Sequence, residues 1–320
     1  MEPIQDKYGR TFKTLRVSLL NHCNLGCVYC VAGEDELKQS NSVAAHPHLP
    51  VADLLGIIER LHEQLQLETI RLTGGEPLLY HELVTLIRGI RSIGISQIKL
   101  TTNGFLLERL AGRLKEAGLE SINVSLDAID EAVFFRMSRR HDAQRIVGGI
   151  DAALSAGLSV KINTVVMKNM NESQIIPLLE LAISRQIPIR YLEIMAMGHL
   201  HDQSEKYLIT RDEILETIAE NYRFEPLGRA GSATASYWQT EDGHRFGIIA
   251  NESEPFCQDC NRLRLDSQGN IFGCLSSNHP IALQKEDNGK HLHGKLQEAL
   301  LQKQTLRFTG SELSMLDIGG

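Results

Sequence analysis

Residues 69–102, TIRLTGGEPLLYHELVTLIRGIRSIGISQIKLTT, contain two short β-branched runs separated by an amphipathic stretch. Thr69–Thr73 and Gln97–Thr102 alternate apolar and polar residues, which is typical of strands, whereas His81–Ile93 carries apolar residues at helical spacing. A strand, a helix and a second strand in this order predict a right-handed crossover between parallel strands.

The same strand–helix unit recurs from residue 15 to residue 195. Helices are predicted between most of the strands, including Val51–Leu65 and Asp142–Ala156, and capping boxes are predicted at Asn171–Gln174 and Thr210–Glu213. The six predicted strands are Leu15–Leu20, Thr69–Thr73, Gln97–Thr102, Ser121–Leu126, Ser159–Met167 and Ile189–Met195. An α/β fold with six βα units follows from this pattern.

The two faces of the predicted strands differ in composition. One parity is apolar, as in Val17, Leu72 and Val124, and the other is polar. The basic residues on the polar parity are Arg16, Arg71, Lys99, Lys161 and Arg190. A closed eight-stranded barrel fills its interior with branched apolar side chains. The polar parity therefore predicts an incomplete, open (βα)6 TIM-like barrel that takes an anionic ligand, although individual bases at strand ends could instead face water.

Charge and hydropathy argue against several classes of partner. The chain has 33 Lys and Arg against 40 Asp and Glu, a net charge of −7, so neither nucleic acid nor an anionic membrane is expected to bind. No run reaches the roughly 18 apolar residues of a membrane span, and the first residues lack the apolar core of a signal peptide. We therefore expect a cytoplasmic protein. The basic run Arg139–His141 is interpreted as a solvated helix start.

The six cysteines form two triplets near opposite ends of the sequence. The triplets are Cys23-x3-Cys27-x2-Cys30, directly after the first predicted strand, and Cys257-x2-Cys260-x13-Cys274. An odd number of thiols cannot pair completely within a group, and three thiolates leave one coordination site open in a four-ligand centre. An open-site iron–sulfur centre is favoured for each triplet, and structural zinc completed by a histidine stays an alternative.

The sequence pattern changes past about residue 205. Short strands are predicted at His244–Ala250, Arg262–Asp266 and Asn270–Cys274, and a terminal helix is predicted at His291–Gln302. We therefore predict a division into residues 1–205, the partial barrel, and residues 206–320, a smaller segment that packs on the barrel and carries the second triplet.

Several motifs resemble those of the radical S-adenosylmethionine (SAM) superfamily. The first triplet, with Tyr29 before its last cysteine, resembles the cluster-binding motif, and Gly74-Gly75-Glu76-Pro77 resembles the SAM-amine motif, in which glycines allow close backbone approach and Glu76 can accept from an ammonium. Over nearly its whole length the chain resembles the GTP 3′,8-cyclase family of molybdenum cofactor biosynthesis. The motifs that carry this resemblance are Arg71–Pro77, Thr101–Gly104, Asn123–Ala128, Cys257–Leu265, Cys274-Leu275 and Gly319-Gly320.

The resemblance implies cofactors and site residues. It implies two [4Fe–4S] clusters, one on each cysteine triplet, and SAM. The implied SAM-binding residues are Tyr29, Gly74, Gly75, Glu76, Ser125 and Met195. The implied GTP-binding residues are Arg16, Arg71, Thr101, Lys161, Arg190, Arg262 and Arg264. Implied catalytic roles fall on Arg262 and Arg264, which share one strand face, and on the tail Gly319-Gly320, which enters the active site in the family.

The implied activity is a radical SAM lyase reaction that converts GTP to (8S)-3′,8-cyclo-7,8-dihydroguanosine 5′-triphosphate. In this reaction a 5′-deoxyadenosyl radical abstracts the ribose C3′ hydrogen, and the resulting carbon radical attacks guanine C8. The implied partners are GTP, an electron donor and a downstream cyclic pyranopterin monophosphate synthase. Neither nucleic acid nor a membrane is expected as a partner, and a homodimer stays open.

The chain departs from the family pattern at several positions, and its stretch after Cys274 is also shorter than usual in the family. Asn21-His22 stand where the family commonly has Asp-Arg before the first cysteine, Val31-Ala32 stand where it has Met-Pro after the third, and Thr69 replaces a common Lys. Two alternative functions therefore stay open. One is a radical SAM enzyme with an auxiliary cluster that acts on another nucleotide or a peptide, and the other is a zinc-bound structural or interaction module.

Overall fold

The computed structural model describes residues 4–33 and 48–319. All six predicted strands are present, and their apolar parity is buried, with Leu15, Val17 and Leu72 each 0% exposed. The strands are β1 (Thr14–Ser18), β2 (Thr69–Thr73), β3 (Gln97–Thr102), β4 (Ser121–Ser125), β5 (Ser159–Val166) and β6 (Ile189–Glu193). Alternation thus puts one side of each strand against the helices and the other toward the barrel interior.

The helices between these strands cover the apolar face of the sheet. They are α1 (Val51–Leu65), α2 (Leu83–Ser92), α3 (Leu107–Ala117), α4 (Glu131–Ser138), α5 (Ala143–Ser155) and α6 (Ile175–Ser184). The predicted α1 has the observed bounds, whereas α4 was not predicted. None of the described helices is long and apolar enough to cross a bilayer.

One of the two predicted capping boxes is wrong. Asn171 does not cap a helix; its side chain accepts from the Met167 amide and donates to the carbonyls of Asp127 and Val165, each at 2.8 Å. These three bonds occupy the side-chain amide, which therefore makes no capping bond, and α6 begins four residues later. The box at Thr210 and Glu213 is confirmed at the start of α7 (Arg211–Ala219).

The remaining elements are six strands that extend the sheet at both edges and two further helices. They are β7 (Phe224–Gly228), β8 (Ser236–Thr240), β9 (Arg245–Ile249), β10 (Arg262–Leu265), β11 (Asn270–Phe272), β12 (Ile281–Ala282), α8 (Gly289–Leu301) and α9 (Met315–Ile318). The strand order is β12-β11-β10-β1-β2-β3-β4-β5-β6-β9-β8-β7. β10 pairs in parallel with β1, and β9 pairs in parallel with β6, so strands from the C-terminal part continue the parallel sheet on both sides.

The sheet is an open α/β barrel rather than a closed one, because β12 and β7 each have a single neighbour among the described strands. The α/β fold and the partial barrel are confirmed. The division near residue 205 stays a prediction. The first triplet follows the carboxyl end of β1, whereas Cys257 and Cys260 precede β10 and Cys274 follows β11, which runs antiparallel to β10. Because β10 is parallel to β1, the two triplets lie toward opposite ends of the barrel strands.

Candidate active site

The inner face of the sheet encloses a cavity of about 670 Å³, within the usual range for small-molecule sites. All six cysteines line it, together with side chains from β1 to β6 and from β10. The two cysteine triplets, which are far apart in the sequence, therefore line the same cavity.

Basic side chains form a row across four neighbouring strands. The register pairs Arg264 with Arg16, Arg16 with Arg71, and Arg71 with Lys99. The other basic residues that line the cavity are Lys161, Arg190, Arg262 and Lys303. Among the described residues that line it, Asp127 is the one carboxylate. The cavity is therefore strongly positive inside a chain of net charge −7.

Burial and mutual repulsion destabilise this row of cations. Burial, followed by the charges of Arg264 and Arg71, holds the pKa of Arg16 well below its usual value. Burial, followed by Arg190 and Arg262, lowers the pKa of Arg71 to about 10, and burial followed by Arg262 lowers that of Arg264 to about 10. Arg71 and Arg264 are still cations at neutral pH, so a polyanion bound among these residues would relieve the repulsion.

Arg190 has a buried hydrogen-bond donor that a ligand oxygen could satisfy. Its Nε donates to Asn163 Oδ1 at 2.9 Å and Tyr237 lies beside it, but its buried Nη2 has no acceptor in hydrogen-bond geometry. A buried donor without a partner costs about 1–3 kcal/mol. A ligand oxygen in the cavity would remove that cost.

The first cysteine triplet lies in the loop after β1. Burial raises the pKa of Cys27 well above its usual value, and the neighbouring charges of Cys30, Asp127 and Cys23 raise it further. Burial, followed by Glu76, raises the pKa of Cys23 to about 12. The thiolate forms of these cysteines would be stabilised by a cation such as a metal centre, which lowers the pKa of a thiol that binds it.

The second triplet lies in a more positive environment. Burial, followed by Cys274 and Cys260, raises the pKa of Cys257 to about 11. Burial alone would raise the pKa of Cys260 as well, but Lys303 and Arg262 outweigh it and lower it to about 6. Cys260 is therefore a thiolate at neutral pH, ready to bind a metal centre.

Each cysteine motif supplies three free thiols. Three thiolates fit a four-iron cluster in which one iron has no protein ligand. Within residues 4–33 and 48–319, no three Cys, His, Asp or Glu side chains are arranged to hold a single metal ion. A cluster does not require that arrangement, because each of its thiolates binds a different iron.

Comparisons with known proteins agree with this geometry. The Radical SAM superfamily profile matches residues 17–182, and the Molybdenum Cofactor Synthesis C profile matches residues 187–308. The proteins named GTP 3′,8-cyclase from Staphylococcus aureus strains JH9 and Newman are each 38% identical over 283 residues, covering 86% of this chain and 82% of theirs. The chain belongs to the GTP 3′,8-cyclase family.

Solved structures support the fold of this family member. Streptococcus suis SuiB bound to S-adenosylmethionine matches with a TM-score of 0.62 and 15% identity, covering 90% of this chain and 68% of SuiB. SuiB bound to its precursor peptide SuiA matches with a TM-score of 0.64 and 15% identity over 91% of this chain and 68% of SuiB. At this identity the likeness concerns the fold alone.

The sequence-based predictions of family, enzyme class and cofactors are confirmed. Members are radical SAM enzymes of molybdenum cofactor biosynthesis that use two [4Fe–4S] clusters and SAM. The predicted SAM and GTP residues that line the cavity are Tyr29, Gly74, Gly75, Ser125, Met195, Arg16, Arg71, Thr101, Lys161, Arg190, Arg262 and Arg264. Their individual roles stay predictions.

Glu76 differs from the other predicted SAM residues, because its carboxylate does not line the cavity. It is 0% exposed and accepts from the Leu78 amide at 2.9 Å, the Thr102 hydroxyl at 2.6 Å and the Asn103 amide at 2.7 Å. The expectation that it accepts from a ligand ammonium stays a prediction; within the protein, Glu76 joins the loop after β2 to the loop after β3. Asn103 in turn donates to Cys23 Sγ at 3.5 Å.

The glycines of the same motif serve packing between loops. A Cβ on Gly75 would lie 2.1 Å from the His22 carbonyl oxygen, and one on Gly74, where φ is +146°, would lie 2.6 Å from that of Leu20. The Gly75 amide donates to Leu20 and the Glu76 amide to His22. The close backbone approach is thus to the cysteine-bearing loop itself.

The C-terminal tail reaches the carboxyl ends of β1 and β2. The Gly319 carbonyl accepts from Arg264 Nη1, and a Cβ on Gly319 would lie 2.8 Å from Thr73 Cγ2 and 2.9 Å from Ser18 Cβ. Gly320 lies outside the described residues. The described part of the tail therefore contacts one of the predicted catalytic arginines.

Two arginines near the first triplet were misinterpreted from the sequence. Arg139 is no solvated helix start; it ends α4 and donates to the carbonyls of Gly26, Val31 and Ala32 at 2.9–3.1 Å. Arg140 donates to the Asn24 carbonyl at 2.9 Å. No local pattern could have indicated these contacts, since the partners are more than 100 residues away in the chain.

Proposed function

We propose that this chain converts GTP to (8S)-3′,8-cyclo-7,8-dihydroguanosine 5′-triphosphate in molybdenum cofactor biosynthesis. The observation that supports this best is that one cavity joins both cysteine triplets to a row of cations that line its wall. A nucleoside triphosphate is both a polyanion and a base, so it matches a cavity with cations in its wall and an open-site cluster at either end.

In this proposal Cys23, Cys27 and Cys30 hold the first cluster. Tyr29, Gly74, Gly75, Ser125 and Met195 surround SAM beside it, and Glu76 holds the loop that places the two glycines. Once bound and reduced by one electron, the cluster and SAM would supply a 5′-deoxyadenosyl radical, the species needed to abstract the ribose C3′ hydrogen before the attack on guanine C8. The Tyr29 hydroxyl, which donates to Asp127 Oδ2 at 2.8 Å, fixes the side of the SAM pocket.

The cation row would bind the triphosphate. Guanidinium forks make paired hydrogen bonds to phosphate, which assigns Arg16, Arg71, Arg262 and Arg264 to that part of GTP. Lys161, Thr101 and Arg190 complete the set. Cys257, Cys260 and Cys274 would hold the auxiliary cluster, whose open iron would bind the base. The tail at Gly319 would help to exclude water, which such radical chemistry requires.

The proposal includes partners that deliver the electron and take the product. It assigns an electron donor and a downstream cyclic pyranopterin monophosphate synthase, in the cytoplasm, with neither nucleic acid nor a membrane involved. Six free cysteines are consistent with a reducing compartment. Light scattering on the same preparation distinguishes a monomer from a homodimer.

A metal count is the first test of this function. We expect about eight iron and eight sulfide per chain after anaerobic purification, the content of two four-iron clusters. A Cys257→Ser, Cys260→Ser, Cys274→Ser variant should keep about four of each. Two zinc ions per chain without sulfide would instead indicate a zinc-bound structural module and would refute the proposed enzyme function.

Incubation with SAM, dithionite and GTP is the second test. The expected result is 5′-deoxyadenosine together with consumption of GTP, and loss of GTP binding in an Arg262→Ala, Arg264→Ala variant that retains both clusters. If 5′-deoxyadenosine forms while another nucleotide or a peptide is consumed and GTP is not, the chain is a different radical SAM enzyme.

A further inference from the structure

A buried lysine lies against the second cysteine triplet. Lys303 is 8% exposed and lines the cavity, and its Nζ is 3.7 Å from Cys260 Sγ. Lysine is rarely buried without a partner, because its ammonium is strongly hydrated in water. Its neighbours therefore show what compensates the charge.

Lys303 forms no salt bridge with any carboxylate of the described residues. Its Nζ donates to the Arg262 carbonyl and to Cys260 Sγ, and it lies 4.8 Å from the ring centroid of Phe12. The remaining groups that face it are Cys274, Arg262 and Arg10. Among the residues that the structure describes, the Cys260 sulfur is thus the one ionisable acidic group to which this lysine donates a hydrogen bond.

The other cations near Cys260 are engaged elsewhere. Arg262 Nη1 donates to the Ser232 carbonyl at 2.9 Å, and Arg264 Nη1 donates to the Gly319 carbonyl. Arg10 donates through Nη1 to the carbonyls of Cys257 and Gln258. Lys303 is the basic residue whose side-chain hydrogen bond is aimed at a thiol of the triplet.

We propose that Lys303 is a positioning residue whose ammonium charge, held by a hydrogen bond to the Cys260 sulfur, raises the reduction potential of the auxiliary cluster. The inference rests on the proposed function, in which Cys257, Cys260 and Cys274 hold that cluster. A cluster gains a negative charge on reduction, so a cation fixed at one of its sulfur ligands favours the reduced state. The same contact orients the Cys260 side chain toward the cavity.

The test compares Lys303→Met, Lys303→Arg and the unaltered full-length protein, each loaded with both clusters. Potentiometric titration followed by electron paramagnetic resonance reports each cluster separately. In K303M we expect the ratio of reduced to oxidised auxiliary cluster at a fixed potential to fall about tenfold, equivalent to a shift of about 59 mV for a one-electron couple. The first cluster should be unchanged, and K303R should restore most of the ratio.

Lys295→Met is the matched control. Lys295 is also a largely buried lysine of the C-terminal segment, but it pairs with Asp287 at 2.6 Å and contacts no cysteine among the described residues. The K295M variant should leave the reduction potentials of both clusters unchanged. An auxiliary-cluster potential in K303M equal to that of the unaltered protein would overturn the inference.

Iron content separates this inference from the proposed function. If the unaltered protein binds only four iron, the auxiliary cluster itself is absent and the proposed function fails first. If K303M loses only the auxiliary iron, Lys303→Gln, which keeps a neutral donor, is titrated instead. A K303Q potential equal to that of the unaltered protein, or loss of the cluster from K303Q as well, would refute the tuning role of Lys303.

Discussion

Arg16 on β1 and Arg264 on β10 are register partners on adjacent parallel strands, and both line the same cavity. Neighbouring strands lie only about 4.8 Å apart. No carboxylate among the described residues forms an ion pair with either arginine. Their repulsion therefore destabilises the empty protein and is relieved when a polyanion binds.

Replacing Arg16 should separate stability from binding. Arg16→Met removes one of these buried, repelling cations at similar volume, so the thermal midpoint of the nucleotide-free protein should rise, by about 2 °C for roughly 1 kcal/mol. The affinity for GTP, measured by titration calorimetry, should fall about tenfold or more because a charged hydrogen bond is lost. Arg113→Met, on the exposed face of α3, should change neither quantity. A lower midpoint with unchanged affinity would contradict this interpretation of the row.

Arg139 provides a second prediction, on retention of the first cluster. Arg139→Met removes the donors to the carbonyls of Gly26, Val31 and Ala32, so the first cysteine loop should loosen and iron should be lost from the first cluster while the auxiliary cluster stays. Iron counts and electron paramagnetic resonance measure both.

Arg136→Met is the control for this variant. Arg136 lies on the same helix and also donates to a carbonyl, but to that of Met170, outside the cysteine loop. It should retain about eight iron. Equal iron loss in both variants would mean that α4 itself, rather than the contact to the loop, holds the cluster.

The parity of the strands explains why much of this site could be predicted from sequence. Arg16, Arg71 and Lys99 each lie between buried apolar neighbours, so alternation alone puts them on one face, and in-register parallel pairing then brings them into a row. The short cysteine spacings are local in the same way.

Contacts that depend on tertiary packing could not be predicted. Arg139 reaches a loop that precedes it by 108 residues at Val31, and Lys303 reaches Cys260 across 43 residues. Neither residue belongs to a recurring local pattern. Asn171 had a local pattern, but buried carbonyls from another loop and strand competed for its amide and displaced the predicted cap.

The tail offers a third prediction. Gly319 has φ of +77°, and its added Cβ would collide with Thr73 and Ser18, so Gly319→Ala should displace the tail from Arg264. We expect turnover of GTP to fall at least about tenfold while the thermal midpoint changes little, because a terminal residue contributes few contacts.

Gly228→Ala is the matched control for the tail. Gly228 has nearly the same φ, +78°, but nothing lies within 4 Å of its added Cβ. It should bear the same backbone strain without loss of turnover. Full activity in G319A would remove the tail from the site.

The fourth prediction concerns pH and Glu76. Burial raises the pKa of Glu76 from 4.5 to about 7, although three hydrogen bonds oppose the rise. The folded protein therefore binds this proton more tightly than the unfolded chain does. Between about pH 4.5 and pH 7 only the folded state keeps the proton, so the contribution of Glu76 to the free energy of unfolding falls as pH rises. The full loss is on the order of 3 kcal/mol above pH 7.

Glu76→Gln removes this titration while keeping the size of the side chain. As pH rises from 5 to 8, the thermal midpoint of the unaltered protein should fall relative to that of E76Q. The reason is that Gln remains neutral, whereas Glu76 must carry a buried charge. Glu116→Gln, exposed on α3, should give a curve parallel to that of the unaltered protein. If the E76Q curve is parallel as well, Glu76 is ionised throughout this range, and its three donors outweigh the cost of its burial.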